Sequence, residues 1–144
     1  NLAHHMVDGS LAGGAPSYVL VQEMINDGVV PNLSTSDLAR SIGMPMVGPV
    51  IEAIAGLPQV PAPFEGYGLF QYQGGVHGFL LAPDPNTAAG QLQLITYLGS
   101  GLTGHPTIID PFAAGKDRDF EVPFRPYWQD ETNPHLVYFP ANQP

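Results

Sequence analysis

Residues 18–28 read YVLVQEMINDG, and this stretch decides the fold class of the chain. The apolar run Tyr18–Val21 and the Gln22–Ile25 segment after it lack the strict alternation of a half-exposed strand. Such a run favours a strand buried on both faces, as in a parallel sheet. It stops at Asn26-Asp27-Gly28, a strong turn signal. We therefore expect a buried strand that ends in a turn carrying an acid.

A helix is predicted directly after this turn. Ser34 and Asp37 have the spacing of a capping box, in which each side chain can satisfy the other residue's free backbone N–H. Gly43 stands at the expected C-terminal capping position, and Pro45 prevents the helix from continuing. The apolar stripe of this helix consists of Leu38, Ala39 and Ile42.

The next strand is predicted at Gly68–Tyr72, and it leads into a histidine, His77, that glycines bracket. Between the first helix and this strand, residues 44–66 form a proline-rich connection in which Val50–Ala55 is predicted as a short helix. A second long helix is capped by Asp84 or Thr87 and ends at the glycines 99 and 101. It carries Leu92, Leu94, Ile95 and Leu98.

The alternation of strand and helix predicts an α/β fold with a parallel sheet covered by helices. Residues 1–17 are rich in Gly, Ala and Ser and are interpreted as a linker or loop, and 18–102 as the folded part. Residues 103–144 are interpreted as a proline-rich extended tail, with a short strand at Thr107–Ile109. Two or three strands cannot bury a parallel sheet alone. We therefore expect the chain to be the C-terminal part of an α/β fold whose other strands belong to another segment or polypeptide.

Composition excludes several classes of function. The 144 residues include 13 acidic and 4 basic side chains, a net charge of −9, which disfavours binding to nucleic acids and anionic membranes. The absence of cysteine excludes disulfides, thiolate catalysis and thiolate-bound metals. No apolar run approaches the roughly 20 residues of a spanning helix. The start at Asn1 does not read as a signal peptide, and we expect a chain that is either cut from a longer protein or begun at an artificial boundary.

Two side chains in this order of elements can carry chemistry. Asp27 follows one strand and His77 follows the next, and the ends of parallel strands meet at one edge of a sheet. A carboxylate there would hold the imidazole Nδ1–H and leave Nε2 free to take a proton from a nucleophile. Gly75 and Gly78 fit a histidine on a sharp loop, which needs backbone freedom and little neighbouring bulk.

These stretches resemble a known fold family. Residues 25–32, with the helix after them, are similar to the acid-bearing turn of α/β-hydrolases, and residues 75–81, with the next helix, to their histidine loop. Within that superfamily both are most similar to the C-terminal ends of large bacterial extracellular lipases and esterases of the virulence-factor lipase type. The resemblance covers residues 18–101.

The resemblance implies a triad in the order Ser, Asp, His, with Asp27 as the acid and His77 as the general base. It implies acyl-ester substrates, a secreted or cell-surface location in a bacterium, and neither cofactor nor metal. No G-x-S-x-G motif occurs, since Ser10 and Ser100 stand in other contexts. The serine and the oxyanion hole are therefore expected from a preceding N-terminal part, without which the chain should be inactive.

Alternatives remain for each of these assignments. Asp27 is also a common turn residue before glycine, and Glu23 is a rival acid inside the first strand. His4 and Asp8 would share a helical face and invite a metal interpretation. As a whole, the chain is alternatively a non-catalytic structural or interaction module that assembles through its tail. In that tail, other residues are candidates for a calcium loop (Asp117, Asp119, Glu121) and for aromatic anchors (Tyr127, Trp128, Tyr138, Phe139).

Overall fold

A computed structural model describes residues 3, 5–9 and 13–112 of the chain. Its helices are α1 (His5–Asp8), α2 (Asn32–Ile42) and α3 (Thr87–Gly101), and its strands are β1 (Leu20–Met24), β2 (Met46–Val47), β3 (Gln59–Val60), β4 (Phe64–Glu65), β5 (Gly68–Tyr72) and β6 (Thr107–Ile108). Four of these strands form a parallel sheet in the order β1-β5-β2-β3. A parallel sheet with flanking helices confirms the predicted α/β class.

The two longest strands lie side by side in this sheet. They pair in parallel from Leu20 opposite Gly68 to Met24 opposite Tyr72. All of β5 is buried, as predicted, and its bounds are those predicted from the sequence. In β1 only Glu23 and Met24 are buried, and the strand begins two residues after Tyr18, which is exposed. Burial on both faces therefore applies to the inner strand β5 and not to β1, which lies at the end of the sheet.

Helix α2 begins earlier than its capping signal predicts. It starts at Asn32, after Pro31, and the predicted capping box is wrong because no side-chain hydrogen bond caps this helix. Asp37 instead binds the Arg40 guanidinium at 3.1 Å. The predicted end is confirmed, since Gly43 adopts the left-handed conformation with φ 73° and donates its N–H to the carbonyl of Arg40.

The connection between α2 and β5 is more regular than its prolines suggest. It contains β2, β3 and β4, each of two residues. The predicted short helix Val50–Ala55 is wrong. In such a helix the Ile54 N–H would bond to the Val50 carbonyl, but it donates instead to Met46 Sδ at 3.3 Å. The Gln71 side chain of β5 also holds this segment, because its oxygen accepts the N–H groups of Ile51 and Glu52 at 3.0 and 2.9 Å.

Apolar side chains on the two faces of the sheet form two cores. One lies on the α3 side and contains Met24, Val47, Phe70, Tyr72, Phe79, Tyr97 and Ile108. The other lies on the α2 side and contains Ala39, Ile42, Met44, Met46, Ile54 and Leu69. Ala3 and Val7 pack against this second core, so part of the predicted linker lies on the folded body. Strand β6, within the predicted tail, pairs with β4.

The outer side of α3 is apolar and exposed. Leu92, Ile95 and Leu98 are 51%, 68% and 59% exposed, whereas Gly90, Gln93 and Tyr97 face inward. The helix contains no charged residue. Over the part of the chain that the structure describes, no helix has the length and hydropathy needed to cross a membrane.

Candidate active site at the carboxyl edge of the sheet

The turn after β1, here called the acid turn (residues 25–30), fixes the Asp27 carboxylate. Asn26 adopts a left-handed φ of 63°, which a short polar residue tolerates better than most. The Asp27 Oδ1 atom then accepts the backbone N–H groups of Val29 and Val30 at 2.8 and 3.0 Å. This is the local pattern that makes Asp a turn residue. It occupies one carboxylate oxygen and leaves Oδ2 available to another partner.

Asn32, the first residue of α2, braces the acid turn through its side chain. Its side-chain oxygen accepts the N–H of Asn26 at 2.9 Å. Its amide nitrogen donates to the Met24 carbonyl at 2.7 Å and to Glu23 Oε1 at 3.1 Å. One amide side chain therefore ties the end of β1, the turn and the helix together. The sequence pattern places Asn32 only within the turn and gives no signal of this bracing role.

The segment after β5, residues 73–79, is called the histidine loop. Gly78 adopts a left-handed φ of 73°, as expected, whereas on the other side of His77 it is Gly74, with φ 70°, and not the predicted Gly75 that does so. Gly75 serves the loop differently, because an added Cβ there would lie 2.5 Å from Met24 Cε and 2.7 Å from Asp84 Oδ2. The loop is thus packed closely on one side and open on the other, where Val76, His77 and Gly78 are exposed.

The acid turn and the histidine loop meet at the carboxyl edge of the sheet. His77 Nδ1 lies 2.8 Å from Asp27 Oδ2, although the residues are 50 positions apart. The histidine side chain is 47% exposed and the aspartate side chain 13% exposed. The parallel register that sets Met24 opposite Tyr72 brings both strand ends to this edge. The structure therefore places the two predicted site residues in direct contact.

This contact determines which ring nitrogen of His77 carries the hydrogen. An ionised carboxylate only accepts hydrogen bonds, so Nδ1 carries the hydrogen and donates it to Asp27. In the neutral ring, Nε2 then holds a lone pair. Among the described residues no side chain or backbone group hydrogen-bonds with Nε2. A half-exposed imidazole in this tautomer can act as a general base toward a group that approaches from solvent.

Glu23, the rival acid, lies elsewhere. Its carboxylate is buried under the sheet face that α2 covers and accepts hydrogen bonds from Asn32 and from Gln71 Nε2, the latter at 2.9 Å. Burial raises the pKa of the Glu23 carboxyl, and the two hydrogen bonds offset part of that change. It forms no hydrogen bond or ion pair with His77 among the described residues. Its role is to support Asn32, which in turn braces the acid turn.

Ser100 does not present a reactive hydroxyl. Its Oγ donates toward the carbonyls of Thr96 and Tyr97, at 2.8 and 3.0 Å, and accepts the N–H of Thr107 at 2.8 Å. This hydroxyl joins the end of α3 to β6. The other serine considered, Ser10, lies outside the described residues.

The remaining candidates do not form a metal site in the described part of the chain. His5 and Asp8 approach to 4.0 Å as a single pair, and His4 lies outside the described residues. Over the described ranges no group of three or more His, Cys, Asp or Glu side chains could hold a metal ion. The alternating acids and the aromatic anchors predicted in the tail also lie outside the described residues: Asp117, Asp119, Glu121, Tyr127, Trp128, Tyr138 and Phe139.

Comparison with known proteins gives no relative. No protein-family model, no curated protein and no solved structure matches this chain.

Proposed function

We propose that this chain supplies the acid and the general base of a serine carboxyl-ester hydrolase of lipase or esterase type. Asp27 is the acid and His77 the base. The nucleophilic serine and the oxyanion donors come from a segment outside this chain, and the substrates are acyl esters. We further propose that the assembled enzyme is secreted or held at the surface of a bacterium.

The contact between His77 Nδ1 and Asp27 Oδ2 is the observation on which the proposal depends. The pair lies beyond the carboxyl ends of two adjacent parallel strands, where α/β proteins bind their ligands. The acid is mostly covered and held by two backbone N–H groups, whereas the imidazole is half-exposed. An acid held by backbone hydrogen bonds beside an accessible imidazole is an arrangement suited to general-base catalysis.

In the proposed reaction, His77 Nε2 removes the proton from the serine hydroxyl as its oxygen attacks the ester carbonyl carbon. Asp27 stabilises the imidazolium that forms and keeps the ring in position. The imidazolium then gives its proton to the departing alkoxide, and the C–O ester bond breaks. Water, deprotonated by the same nitrogen, then attacks the carbonyl carbon of the acyl-serine. The bond from that carbon to the serine oxygen breaks, the imidazolium gives its proton to the serine oxygen, and the carboxylic acid is released. His77 therefore returns to its starting state.

The free edge of β1 supports the requirement for a second segment. β1 is the end strand of the main sheet, and β5 is its only strand partner among the described residues. In a parallel pair, alternate residues direct their backbone groups outward, which leaves Leu20 and Gln22 able to pair with another strand. A strand added there would end at the same edge as β1, beside Asp27. A nucleophile that follows such a strand would approach the His77 ring.

The test begins with the intact mass of the protein from its natural source, to find a second polypeptide or segment with a G-x-S-x-G motif. Ester turnover by that assembly is then compared with the His77→Ala variant. We expect a loss of about 10³-fold or more in kcat, because the serine loses its base. Unchanged turnover would rule out the assignment.

His105→Ala is the matched control. His105 also pairs with an acid, through Nδ1 and Glu65 Oε1 at 2.9 Å, but both side chains are more than 60% exposed, and the histidine follows α3 instead of β5. Removal of this imidazole should leave ester turnover unchanged. Equal losses in the two variants would show that the effect of His77→Ala is not specific to the site.

A second candidate function, a non-catalytic interaction module, is favoured by the outer side of α3. Exposed Leu92, Ile95 and Leu98 give this helix an apolar face that a partner could cover. The tail through which assembly is expected lies, from residue 113 onward, outside the described residues. Ester turnover that depends on His77 separates the two candidates.

A further inference from the structure

Asp84 lies between the histidine loop and the start of α3, and the hydrolase assignment does not use it. Its Oδ2 atom accepts the backbone N–H of Val76 at 2.8 Å, and Val76 directly precedes His77. Its Oδ1 atom accepts the backbone N–H of Asn86 at 2.8 Å and the Asn86 side-chain N–H at 3.0 Å. One carboxylate therefore bridges the loop that carries the imidazole and the segment that begins the helix.

Two neighbours of Asp84 hold the same loop at its ends. The Asn86 amide donates to the Gln73 carbonyl at 3.0 Å. The Thr87 hydroxyl hydrogen is shared between the carbonyls of Phe79 and Ala82, at 2.8 and 2.6 Å. The three contacts reach the loop before, beside and after His77. Asp84 makes the central one. It is also the only charged group of the three, and a charge-assisted hydrogen bond is roughly twice as strong as a neutral one.

Gly75 shows how closely Asp84 packs against the loop. A Cβ at position 75 would lie 2.7 and 2.8 Å from the two Asp84 carboxylate oxygens. The space that any other side chain would need is therefore filled by this carboxylate and by Met24 Cε, 2.5 Å from the same point. The absence of a side chain at Gly75 is what lets Asp84 approach the backbone beside His77.

We propose that Asp84 is a positioning residue for His77: through the N–H of Val76 it fixes the loop so that Nδ1 faces Asp27 and Nε2 faces solvent. This proposal rests on the proposed function, in which His77 is the base. Asp84 does not contact His77 and acts only through the backbone. Displacement of a catalytic group by about 1 Å can reduce a rate by about 100-fold. Loss of the bridge should thus reduce kcat by about 10- to 100-fold and leave KM nearly unchanged.

The test is Asp84→Asn in the 144-residue chain, with nitrogen NMR of ¹⁵N-labelled histidine as the readout. An amide keeps one acceptor oxygen, which can still face the Val76 N–H, so Asp84→Ala is measured beside it because alanine removes both acceptors. We expect the Nδ1–H form of His77 to give way to a mixture with the Nε2–H form. Asp37→Asn is the control, because it removes an equal charge from an exposed acid of α2, and it should leave the His77 spectrum unchanged.

Hydrogen exchange of the wild-type chain provides a second measurement that does not depend on the variant folding. The Val76 amide should exchange at least about tenfold more slowly than an unbonded amide. Exchange at the unbonded rate would overturn the proposal, as would a folded Asp84→Ala chain that is less stable but has an unchanged His77 spectrum. A His77→Ala assembly that retains turnover would refute the proposed hydrolase function instead, and the His77 spectrum would still decide the role of Asp84.

Discussion

The acid turn and the histidine loop are stabilised in different ways, although both follow strands of the same sheet. The acid turn is supported from the interior, because Asn32 rests on the buried Glu23 and the Asp27 carboxylate is 13% exposed. The histidine loop is exposed, and side chains from the start of α3 hold its backbone. Burial therefore fixes the position of the Asp27 carboxylate, whereas contacts to the loop backbone orient the His77 ring and leave it accessible.

Removal of the Asn32 side chain, which braces the acid turn, should have the largest effect on stability. Asn32→Ala leaves the Asn26 N–H and the Met24 carbonyl without their partner and removes one of the two donors to buried Glu23. Buried groups that lose a partner cost about 1–3 kcal/mol each, so we expect a loss of about 3 kcal/mol in the free energy of unfolding. Urea denaturation measures this loss.

Ser34→Ala, in the first turn of the same helix, provides the control. Ser34 is exposed, and an exposed substitution of this kind should change stability by less than about 0.5 kcal/mol. A similar loss of stability in Asn32→Ala and Ser34→Ala would show that any change at the start of α2 has this effect, and not the loss of the Asn32 hydrogen bonds in particular.

A side chain added at position 75 should lower the free energy of unfolding by less than the loss of the Asn32 side chain does. Gly75→Ala forces Met24 and Asp84 away from positions that lie 2.5–2.8 Å from the new Cβ. Such overpacking costs about 1–3 kcal/mol, and we expect about 2 kcal/mol by urea denaturation. Gly99→Ala is the contrasting variant, since no atom lies within 4 Å of the new Cβ, and alanine in a helix should stabilise by about 0.5–1 kcal/mol. If Gly75→Ala were as stable as the wild type, the loop would not be packed as described.

The smallest expected effect is on how the stability of the chain depends on pH. It concerns Glu23, which supports the acid turn through Asn32. Burial raises the pKa of Glu23 above its ordinary value of 4.5, so between that value and the raised one the folded chain binds more protons than the unfolded chain. The stability that this carboxyl contributes is therefore present below pH 4.5 and is lost as the pH rises through the folded-state value. Glu23→Gln should remove this part of the slope in urea denaturation across that range. A slope identical to the wild type would contradict the assignment.

The sequence predicts the features of this site that depend on local signals. Asp27 before glycine marks a turn, and the glycines around His77 mark a loop. The segment Gly68–Tyr72 is predicted as a strand, and Gly43 marks a helix end. With the rule that parallel strands end at one edge, these signals suffice to bring the acid and the histidine together.

Contacts between distant segments decide what the sequence does not predict. The capping box at Ser34 and Asp37 is a valid local signal, but α2 begins at Asn32, whose side chain is bonded to β1 and the acid turn. Met46 Sδ accepts the Ile54 N–H that the predicted short helix would need for its own hydrogen bond. Two-residue strands such as β2 and β3 are too short to leave a periodic pattern. The sequence predicts Asp84 only as a helix cap, because its bond to the Val76 N–H depends on the folded loop.

The tautomer of His77 reports on the contact between its ring and the Asp27 carboxylate. Nitrogen NMR of the ¹⁵N-histidine-labelled chain at a pH where the ring is neutral should show hydrogen on Nδ1 and none on Nε2, because Asp27 Oδ2 accepts the Nδ1–H across 2.8 Å. In Asp27→Ala the ring should shift toward the Nε2–H form. A wild-type ring with its hydrogen on Nε2, or one that Asp27→Ala leaves unchanged, would contradict the pairing of these two side chains.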